Sequence, residues 1–249
     1  MITASQKEQL DLIENSKNSS LIHDVDFNCF KNIDTSSSDI NIIDVGANRG
    51  QSIVSFKSIF PNAKIVSFEA NPFFEPILIE VSKWYDDVYV NNFGLGHTEQ
   101  QFEFYVPVID GTPYLEEGST RRDNFEKPWV RDRFLSYGSS LEYKTFPVNI
   151  KRAEDVITDA KTDIIKIDVE GAEMDVLSSM DQIIERSHPI FLIENSDFDN
   201  VTSFLKNKGY QCYQYLSEDN FLIPLKTDCT NSFYIHNDYN GPLLSIIQD

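Results

Sequence analysis

The chain contains the stretch Ile42-Ile43-Asp44-Val45-Gly46-Ala47-Asn48-Arg49-Gly50, and this stretch decides the fold. An apolar, β-branched run at residues 40–45 predicts a buried strand, and apolar residues at helical spacing over residues 51–60 predict a helix. Between them, two glycines allow a sharp turn and a close approach of a ligand to the backbone. The start of the helix then offers free N–H groups to electronegative ligand atoms. The stretch therefore predicts a strand, a ligand-binding turn and a helix.

The same alternation of strands and helices continues along the chain. Further strands are predicted at residues 64–69, 88–93, 164–169, 189–194, 211–216 and 232–235. Helices are predicted at residues 76–85, 172–184 and 201–208. This alternation predicts an α/β fold with a doubly wound, mostly parallel, seven-stranded sheet of the Rossmann-like type, covered by helices on both faces. Ligands bind such sheets beyond the carboxyl ends of the strands, so we expect the chemistry there.

Two segments fall outside this alternation. Residues 1–39 combine apolar residues at helical spacing with a polar, turn-prone stretch at 34–39. They predict an N-terminal helical extension and a linker before a domain at 40–249. Within that domain, residues 110–143 show no clean period and interleave basic with aromatic residues. A long irregular segment in a compact domain is often a lid or a binding loop, so we expect a substrate-side insert there.

The composition limits the classes of function. The 249 residues carry a formal net charge of −19 and are 41% hydrophobic, which is enough for a substantial core. Such an acidic chain disfavours nucleic-acid binding, which depends on lysine and arginine neutralising phosphates. The three cysteines form no C-x-x-C pair, which favours a reducing compartment. No stretch has the roughly 18 apolar residues of a membrane span, and the chain start lacks the apolar run of a signal peptide, so we expect a cytoplasmic protein.

Polar residues near the turn are the candidates for ligand binding. Glu69 ends the second predicted strand nineteen residues after Gly50, a spacing at which an acid accepts hydrogen bonds from ribose hydroxyls. Asp44 lies near the end of the first strand, where its carboxylate can orient the turn or meet a charged part of the ligand. We therefore predict that the binding residues for a ribose-containing ligand include Asp44, Gly46, Asn48, Gly50 and Glu69.

Three segments resemble the FkbM family of methyltransferases. They are residues 43–50, residues 68–72 (Phe68-Glu69-Ala70-Asn71-Pro72) and residues 166–173 (Lys166-Ile167-Asp168-Val169-Glu170-Gly171-Ala172-Glu173). The turn also resembles motif I of class I methyltransferases, and it lacks the Gly-x-Gly-x-x-Gly pattern of dinucleotide-binding proteins. The resemblance spans roughly residues 40–235 without the insert, and it departs from the family pattern at Ala70, where proline is usual.

This resemblance implies a fold of the class I methyltransferase type. It also implies S-adenosylmethionine as the cofactor and a hydroxyl, often on a sugar, as the methyl acceptor. By analogy with the fold, Asn92 on the third strand would lie near the adenine of the cofactor.

Carboxylates at strand ends are the candidates for catalysis. A neutral hydroxyl is a poor nucleophile until its proton has somewhere to go, and a positioned carboxylate can accept that proton. Asp168 is the first candidate base and also a candidate cofactor contact, Glu194 is the second, and His97 is a third. Lys166 lies inside an apolar strand, where an unpaired ammonium is costly, so we expect it to have a specific partner. Asp168, Glu170 and Glu194, together with Asn195, could also hold a divalent cation through oxygen ligands, although nothing in the sequence requires one.

These residues favour an O-methyltransferase that uses S-adenosylmethionine on a hydroxyl of a glycan or a glycosylated small molecule. One alternative is methylation of a non-sugar small metabolite. Another is a nucleotide-sugar oxidoreductase or epimerase that uses NAD. That class needs Gly-x-Gly-x-x-Gly and a Tyr-x-x-x-Lys pair, and the chain has neither. The expected partner is a small-molecule or glycan acceptor, with no nucleic acid and no membrane span.

The insert is the expected acceptor-binding region. Its aromatic faces suit sugar rings, and its arginines suit a phosphate or carboxylate on the acceptor. Its aromatic side chains could equally pack on the domain, and the sequence favours neither arrangement.

Overall fold

A computed structural model describes residues 2–33, 40–158, 161–225, 227 and 229–248. The linker predicted at 34–39 lies outside these residues. The α-helices are α1 Ala4–Asn18, α2 Gln51–Ile59, α3 Glu75–Ser82, α4 Pro128–Leu135, α5 Ala153–Val156, α6 Glu173–Leu177, α7 Asp181–Ser187 and α8 Phe198–Asn207. The strands are β1 Asn41–Val45, β2 Lys64–Phe68, β3 Val88–Asn91, β4 Gly94–Leu95, β5 Gln100–Ile109, β6 Thr112–Pro113, β7 Leu141–Lys151, β8 Ile164–Ile167, β9 Ile190–Glu194, β10 Tyr210–Leu216, β11 Phe221–Pro224 and β12 Asn231–His236.

A central sheet has the strand order β11-β10-β12-β9-β8-β1-β2-β3. The five strands from β9 to β3 are parallel, and β12, β10 and β11 continue the sheet in antiparallel pairings. This arrangement confirms the mostly parallel α/β sheet. The prediction of seven strands was wrong by one, because β11 forms a hairpin with β10. The four residues of β11 are too few to show the hydrophobic period of a strand in the sequence.

Helices cover the central sheet on both faces, which explains why its inner strands are mostly apolar. Ile42 packs in one cluster with Ile53 and Phe56 of α2. Its neighbour Ile43 packs in a second cluster with Val176 and Leu177 of α6. Successive residues of a strand point to opposite faces, so a strand buried on both faces has no polar side. The doubly wound arrangement therefore follows directly from the sequence of β1.

A second, four-stranded sheet with the order β4-β7-β5-β6 was not predicted. Its main part is a long antiparallel pairing of β5 with β7, in which Gln100 lies opposite Ile150 and Ile109 lies opposite Leu141. The segment between these two strands was predicted to be irregular. It contains β6, two short 3-10 helices and α4, and a small apolar cluster of its own around Phe125 and Phe134.

The predicted helix at 172–184 is interrupted, so it forms α6 and α7. The hydroxyls of Ser178 and Ser179 donate to the carbonyl oxygens of Asp175 and Val176. Serine side chains that bond to nearby backbone in this way compete with helix formation. The Ser179 carbonyl accepts instead from the Glu154 N–H at the start of α5.

The N-terminal segment packs onto the central fold. Thr3 and Gln6 form a capping box at the start of α1, and the Gln6 side chain donates to the carbonyl oxygen of Phe73. A 3-10 helix at Val25–Asn32 then buries Phe27 and Phe30 in the same cluster as β1. Among the described residues, no helix combines the length and the apolar character needed to cross a bilayer.

Candidate active site

A cavity lies beyond the carboxyl ends of β1, β2 and β8. The order of the strands changes direction here, since β1 pairs with β2 on one side and with β8 on the other. Open α/β sheets bind ligands at such a switch point. The insert closes the cavity on another side through Leu115, Glu116, Gly118 and Thr120. The cavity therefore lies where the sequence predicted the chemistry, but part of its wall comes from a segment without a recognisable motif.

Gly46 is required by the close approach of two strand ends. Its φ is +81°, and a Cβ added to it would lie 1.7 Å from the backbone oxygen of Asp168. Its N–H donates to the carbonyl oxygen of Phe68 at 2.9 Å. The turn is thus held between β2 and β8, and only a residue without a side chain fits there. Gly50, with φ +96°, forms the N-cap of α2 against Leu78 and Val81 of α3.

Glu69 fixes the other end of the same turn. It is 8% exposed and lines the cavity. Its Oε2 accepts from the Asn48 N–H at 2.7 Å, and its Oε1 accepts from the Asn71 N–H at 2.7 Å. Burial outweighs these two bonds and raises the pKa of Glu69 to about 7. Since each carboxylate oxygen can accept more than one hydrogen bond, Glu69 keeps acceptor capacity for a ligand hydroxyl.

Lys166 has the specific partners that its position in an apolar strand predicted. Its Nζ donates to the carbonyl oxygen of Gly46 at 2.8 Å and lies 3.0 Å from Asp168 Oδ2 and 3.7 Å from Asp44 Oδ1. Burial opposes its charge, but Asp168 and Asp44 together raise the pKa of Lys166. The ammonium therefore joins the glycine turn to the carboxylates at the strand ends.

Asp44 is fully buried and orients the turn from behind. Its Oδ2 accepts from the hydroxyls of Ser52 at 2.7 Å and Ser67 at 3.2 Å. Asp44 does not line the cavity, so of the two roles predicted for it the geometry fits the orienting role.

Three carboxylates meet next to Lys166. Oxygen atoms of Asp168, Glu170 and Glu194 all lie within 4.8 Å of one another. Burial and the neighbouring Asp168 raise the pKa of Glu194 to about 11. Although burial opposes it, Lys166 lowers the pKa of Asp168, and a side-chain hydrogen bond joins Asp168 to Glu194. Glu194 therefore holds a proton and donates it to the ionised Asp168.

Not every predicted site residue reaches the cavity. Gly46, Asn48, Glu69 and Asp168 line it. Glu194 contributes through Asp168, and Gly50 contributes through the start of α2. Asn92 donates from its side chain to the carbonyl oxygen of Glu69, and the nearby cavity wall is formed by Gly94 and Leu95. His97 is exposed and lies outside the cavity lining, so the structure does not bring it to the other candidates.

Several residues that line the cavity were not singled out by a motif. Phe104 and Ile150 come from the second sheet, and only tertiary folding brings them to the strand ends. Four more come from the insert, which was predicted to bind the acceptor through its aromatic and basic side chains rather than through these four residues. Glu170, which was predicted only as a possible ligand of a divalent cation, also lines the cavity. Its backbone φ is +52°.

The basic residues of the insert are largely neutralised by nearby acids. Arg121 pairs with Asp123 and Asp175, Arg122 with Glu126, and Arg133 with Glu117. Lys127 donates to the carbonyl oxygen of Ser196 at 2.8 Å. These contacts hold the insert together and tie it to the sheet, so they do not support the prediction that its arginines receive an anionic acceptor.

The chain is similar to known methyltransferases. The sequence model of the methyltransferase FkbM domain matches residues 44–212, which is more than half of the chain. Methyltransferase 1 of Beauveria bassiana (strain ARSEF 2860) is 24% identical over 182 residues, which cover 68% of this chain and 71% of that protein. Methyltransferase sdnD of Sordaria araneosa is 26% identical over 159 residues, which cover 57% of this chain and 60% of that protein.

A solved structure shares the architecture. The crystal structure of methyltransferase FkbM from Methylobacillus flagellatus KT matches with a TM-score of 0.52 and 14% sequence identity. The match covers 83% of this chain and 48% of that one, so this chain spans about half of the length of that protein. At this identity the likeness shows a shared fold, which is that of the class I methyltransferases.

Proposed function

Since the chain belongs to the FkbM methyltransferase family, we propose that it transfers a methyl group from S-adenosylmethionine to a hydroxyl oxygen of a small, uncharged acceptor. The observation that carries the proposal is a single cavity that is bounded by the glycine turn, by Glu69 and by ionisable carboxylates. A ribose-binding acid and a proton-accepting acid are the two groups that such a transfer needs from the protein.

The residues present fit this cofactor. Glu69 has acceptor capacity for ribose hydroxyls, and Asn48 and Gly46 supply the turn beneath them. The ionised Asp168 would face the positively charged part of the cofactor, because opposite charges attract strongly in a partly desolvated site. When bound, the cofactor supplies an electrophilic methyl group on a sulfonium ion. We therefore propose that Asp168 faces the cofactor side of the cavity.

The charge of the cavity favours an uncharged acceptor. Glu116, Asp168 and Glu170 line it, and no lysine or arginine side chain does so among the residues described. An anionic group would find no cationic side chain in the described part of this lining to pair with. Within that limit we propose the hydroxyl of a glycan or a glycosylated small molecule as the acceptor.

A non-sugar metabolite is the second candidate acceptor. An apolar groove of about 720 Å³ shares Leu115 with the cavity and is lined mainly by Phe73, Val106, Pro113 and Phe146. Such a groove would hold the apolar part of an acceptor that carries few hydroxyls.

We further propose a cytoplasmic location, because Cys29 and Cys212 are buried thiols of the kind that a reducing compartment preserves. A divalent cation stays a prediction. Lys166 already places a positive charge 3.0 Å from Asp168. Methyl transfer that continues in the presence of EDTA would contradict a requirement for such a cation.

An acceptor panel tests the proposed function. Purified protein and S-adenosylmethionine are incubated with methyl glycosides of common hexoses and, separately, with aromatic and long-chain alcohols. Mass spectrometry then identifies methyl ethers. We expect methylation of at least one glycoside. Methylation of the non-sugar alcohols alone would replace the first candidate acceptor by the second, and no methyl ether from either set would contradict the proposal.

A further inference from the structure

We propose that Glu170 is the general base that accepts the proton of the acceptor hydroxyl, and that Asp168 is not. This inference rests on the proposed function, since it names the residue that performs one step of that reaction. It assigns the two carboxylates different tasks, with Asp168 on the cofactor side and Glu170 on the acceptor side of one cavity.

The other candidate bases are already engaged or remote. Asp168 is paired with Lys166 at 3.0 Å and also accepts a hydrogen bond from the protonated Glu194 carboxyl group. A carboxylate stabilised by an ammonium and a hydrogen bond is a weak base. Glu194 holds a proton already, and His97 lies outside the cavity lining. Among the described residues, this leaves Glu170 as the cavity carboxylate at the strand ends without such a partner.

The Glu170 carboxylate is available to a ligand. It accepts no hydrogen bond from the described part of the chain, and Glu170 lines the cavity. By contrast, the other cavity carboxylates have fixed tasks: Glu69 receives two backbone N–H groups, and Glu116 is paired with Arg49. A half-buried acid that is held in place but left without a donor is suited to receive a proton from a substrate.

The backbone of Glu170 is held in an unfavourable conformation by its surroundings. Its φ is +52°, and Gly171 follows with φ +97°. The hydroxyl of Ser119 donates to the Glu170 carbonyl oxygen at 2.7 Å, and the Gly171 N–H donates to Glu173 Oε1 at 2.9 Å. Glycine would adopt this φ without strain, so the glutamate side chain is present at a cost in stability. Strain of this kind concentrates at functional sites.

The charges around Glu170 favour its protonated form at neutral pH, so as a base it works in mildly alkaline solution. Asp168, Glu173 and Glu194 face it from the sheet side, and Glu117 and Arg133 face it from the insert. Burial, followed by repulsion from Asp168 and Glu117, raises the pKa of Glu170 to about 8. A general base acts best when its pKa lies close to the working pH.

The proposed reaction moves one proton to Glu170 and one methyl group to the acceptor oxygen. The acceptor hydroxyl gives its proton to a carboxylate oxygen of Glu170, and the acceptor oxygen forms the new C–O bond with the methyl carbon. The electron pair of the broken C–S bond stays on sulfur, and the neutral thioether is released together with the methyl ether. Glu170 afterwards returns its proton to solvent.

Two variants at this position separate a catalytic role from a structural one. Glu170→Gln keeps the size of the side chain and removes the base, so we expect kcat for a methylated panel member to fall about 10²–10⁴-fold. The affinity for S-adenosylmethionine, measured by calorimetry, should stay within about threefold. Glu126→Gln makes the same chemical change at an exposed position of the insert and should leave both quantities unchanged.

Glu170→Gly removes the base and the strain together. We expect its thermal midpoint to equal or exceed that of the wild type, because glycine tolerates a positive φ. Added formate should restore part of the lost turnover, since it can occupy the vacated space and accept the proton. A stable Glu170→Gly variant that formate does not rescue would overturn the assignment, as would a Glu170→Gln variant with the wild-type kcat. Wild-type protein that binds no S-adenosylmethionine or methylates no panel member would instead contradict the proposed function.

Discussion

At the scale of the residue, Gly46 and Lys166 explain why the cofactor turn has a fixed shape. The Gly46 N–H bonds to β2, its carbonyl oxygen bonds to Lys166 of β8, and its α-carbon lies against the backbone of Asp168. The ammonium of Lys166 also forms ion pairs with Asp168 and Asp44. The residues proposed for binding and catalysis are therefore held by one small network, in which the space at Gly46 is the tightest point.

Gly46→Ala tests whether this space is required. The new Cβ would lie 1.7 Å from the Asp168 oxygen, so the strand ends must separate, and we expect a loss of at least about 3 kcal/mol of unfolding free energy. Gly111→Ala is the matched control, because Gly111 has φ +83° and no atom within 4 Å of the added Cβ. Gly111→Ala should lose only about 1 kcal/mol of unfolding free energy, which is the cost of a positive φ for alanine. Equal losses for the two variants in urea unfolding would show that close approach at Gly46 contributes nothing.

At the scale of the element, the insert behaves as a small layer of its own above the sheet ends. Ile109, Phe125, Val130 and Phe134 form a cluster separate from the two clusters of the central sheet. Side-chain contacts then fasten the layer to the sheet, for example from Ser119 to Glu170 and from Arg121 to Asp175. The insert can therefore lose order without unfolding the sheet.

Phe134→Ala should loosen the insert selectively. Phe134 is fully buried, and its removal leaves a cavity that costs about 3–5 kcal/mol locally. In hydrogen exchange we expect faster exchange of the amides of α4, while those of β1 and β8 keep their protection. Trp129→Ala, at a position on the same helix that is 56% exposed, should change little. Equal acceleration across α4, β1 and β8 would mean that insert and sheet unfold as one unit.

The central sheet could be predicted from the sequence and the second sheet could not, for a physical reason. A strand buried on both faces, such as β9, is a nearly unbroken apolar run and is easy to recognise. Within the second sheet, only residues 101–106 of β5 alternate in the sequence as a half-buried strand does, and that part could be predicted. The strands β5 and β7 each contain a proline, Pro107 and Pro147, and proline normally argues against a strand. Half of β7 is exposed, so its apolar pattern is weak. The sequence therefore predicted the sheet side of the cavity, whereas the insert side depended on tertiary packing.

The candidate site, like the fold, could be predicted only on the side that the central sheet provides. Gly46, Asn48, Glu69 and Asp168 follow from motif and spacing, and all four line the cavity. His97 was chosen for its residue type near a strand end, yet its side chain is exposed. The selection between Asp168 and Glu170 depends on Lys166, because the ammonium takes up the charge of one carboxylate and leaves the other available. Distances of this kind are not contained in the order of residues.

At the scale of the whole molecule, acidic residues determine how stability depends on pH. Glu69, Glu170 and Glu194 have raised pKa values of about 7, 8 and 11, so the folded protein retains protons that the unfolded chain has lost. Stability must then fall as the pH rises through this range. His23, whose burial lowers its pKa to about 4, acts in the opposite direction only below about pH 6.5.

We therefore expect the unfolding free energy to decrease between about pH 6.5 and 8.5. Each retained proton contributes a slope on the order of 1.4 kcal/mol per pH unit, an upper limit for these partly hydrated groups. Glu194→Gln can still donate to Asp168 but cannot lose a proton, so it should be more stable than the wild type above pH 6.5 and show a smaller slope. Stability that rises with pH in this window, or a slope unchanged in the variant, would contradict the protonation states assigned to the carboxylates.

Calorimetry tests whether the cavity at the ends of β1, β2 and β8 binds S-adenosylmethionine. Titration with S-adenosylmethionine should give one site per chain, and titration with NAD should give none. Glu69→Gln should weaken S-adenosylmethionine binding at least about tenfold through the lost carboxylate, while Glu75→Gln, an exposed change at the start of α3, should leave it intact. Binding of NAD without S-adenosylmethionine, or equal affinity in the Glu69→Gln variant, would contradict the account.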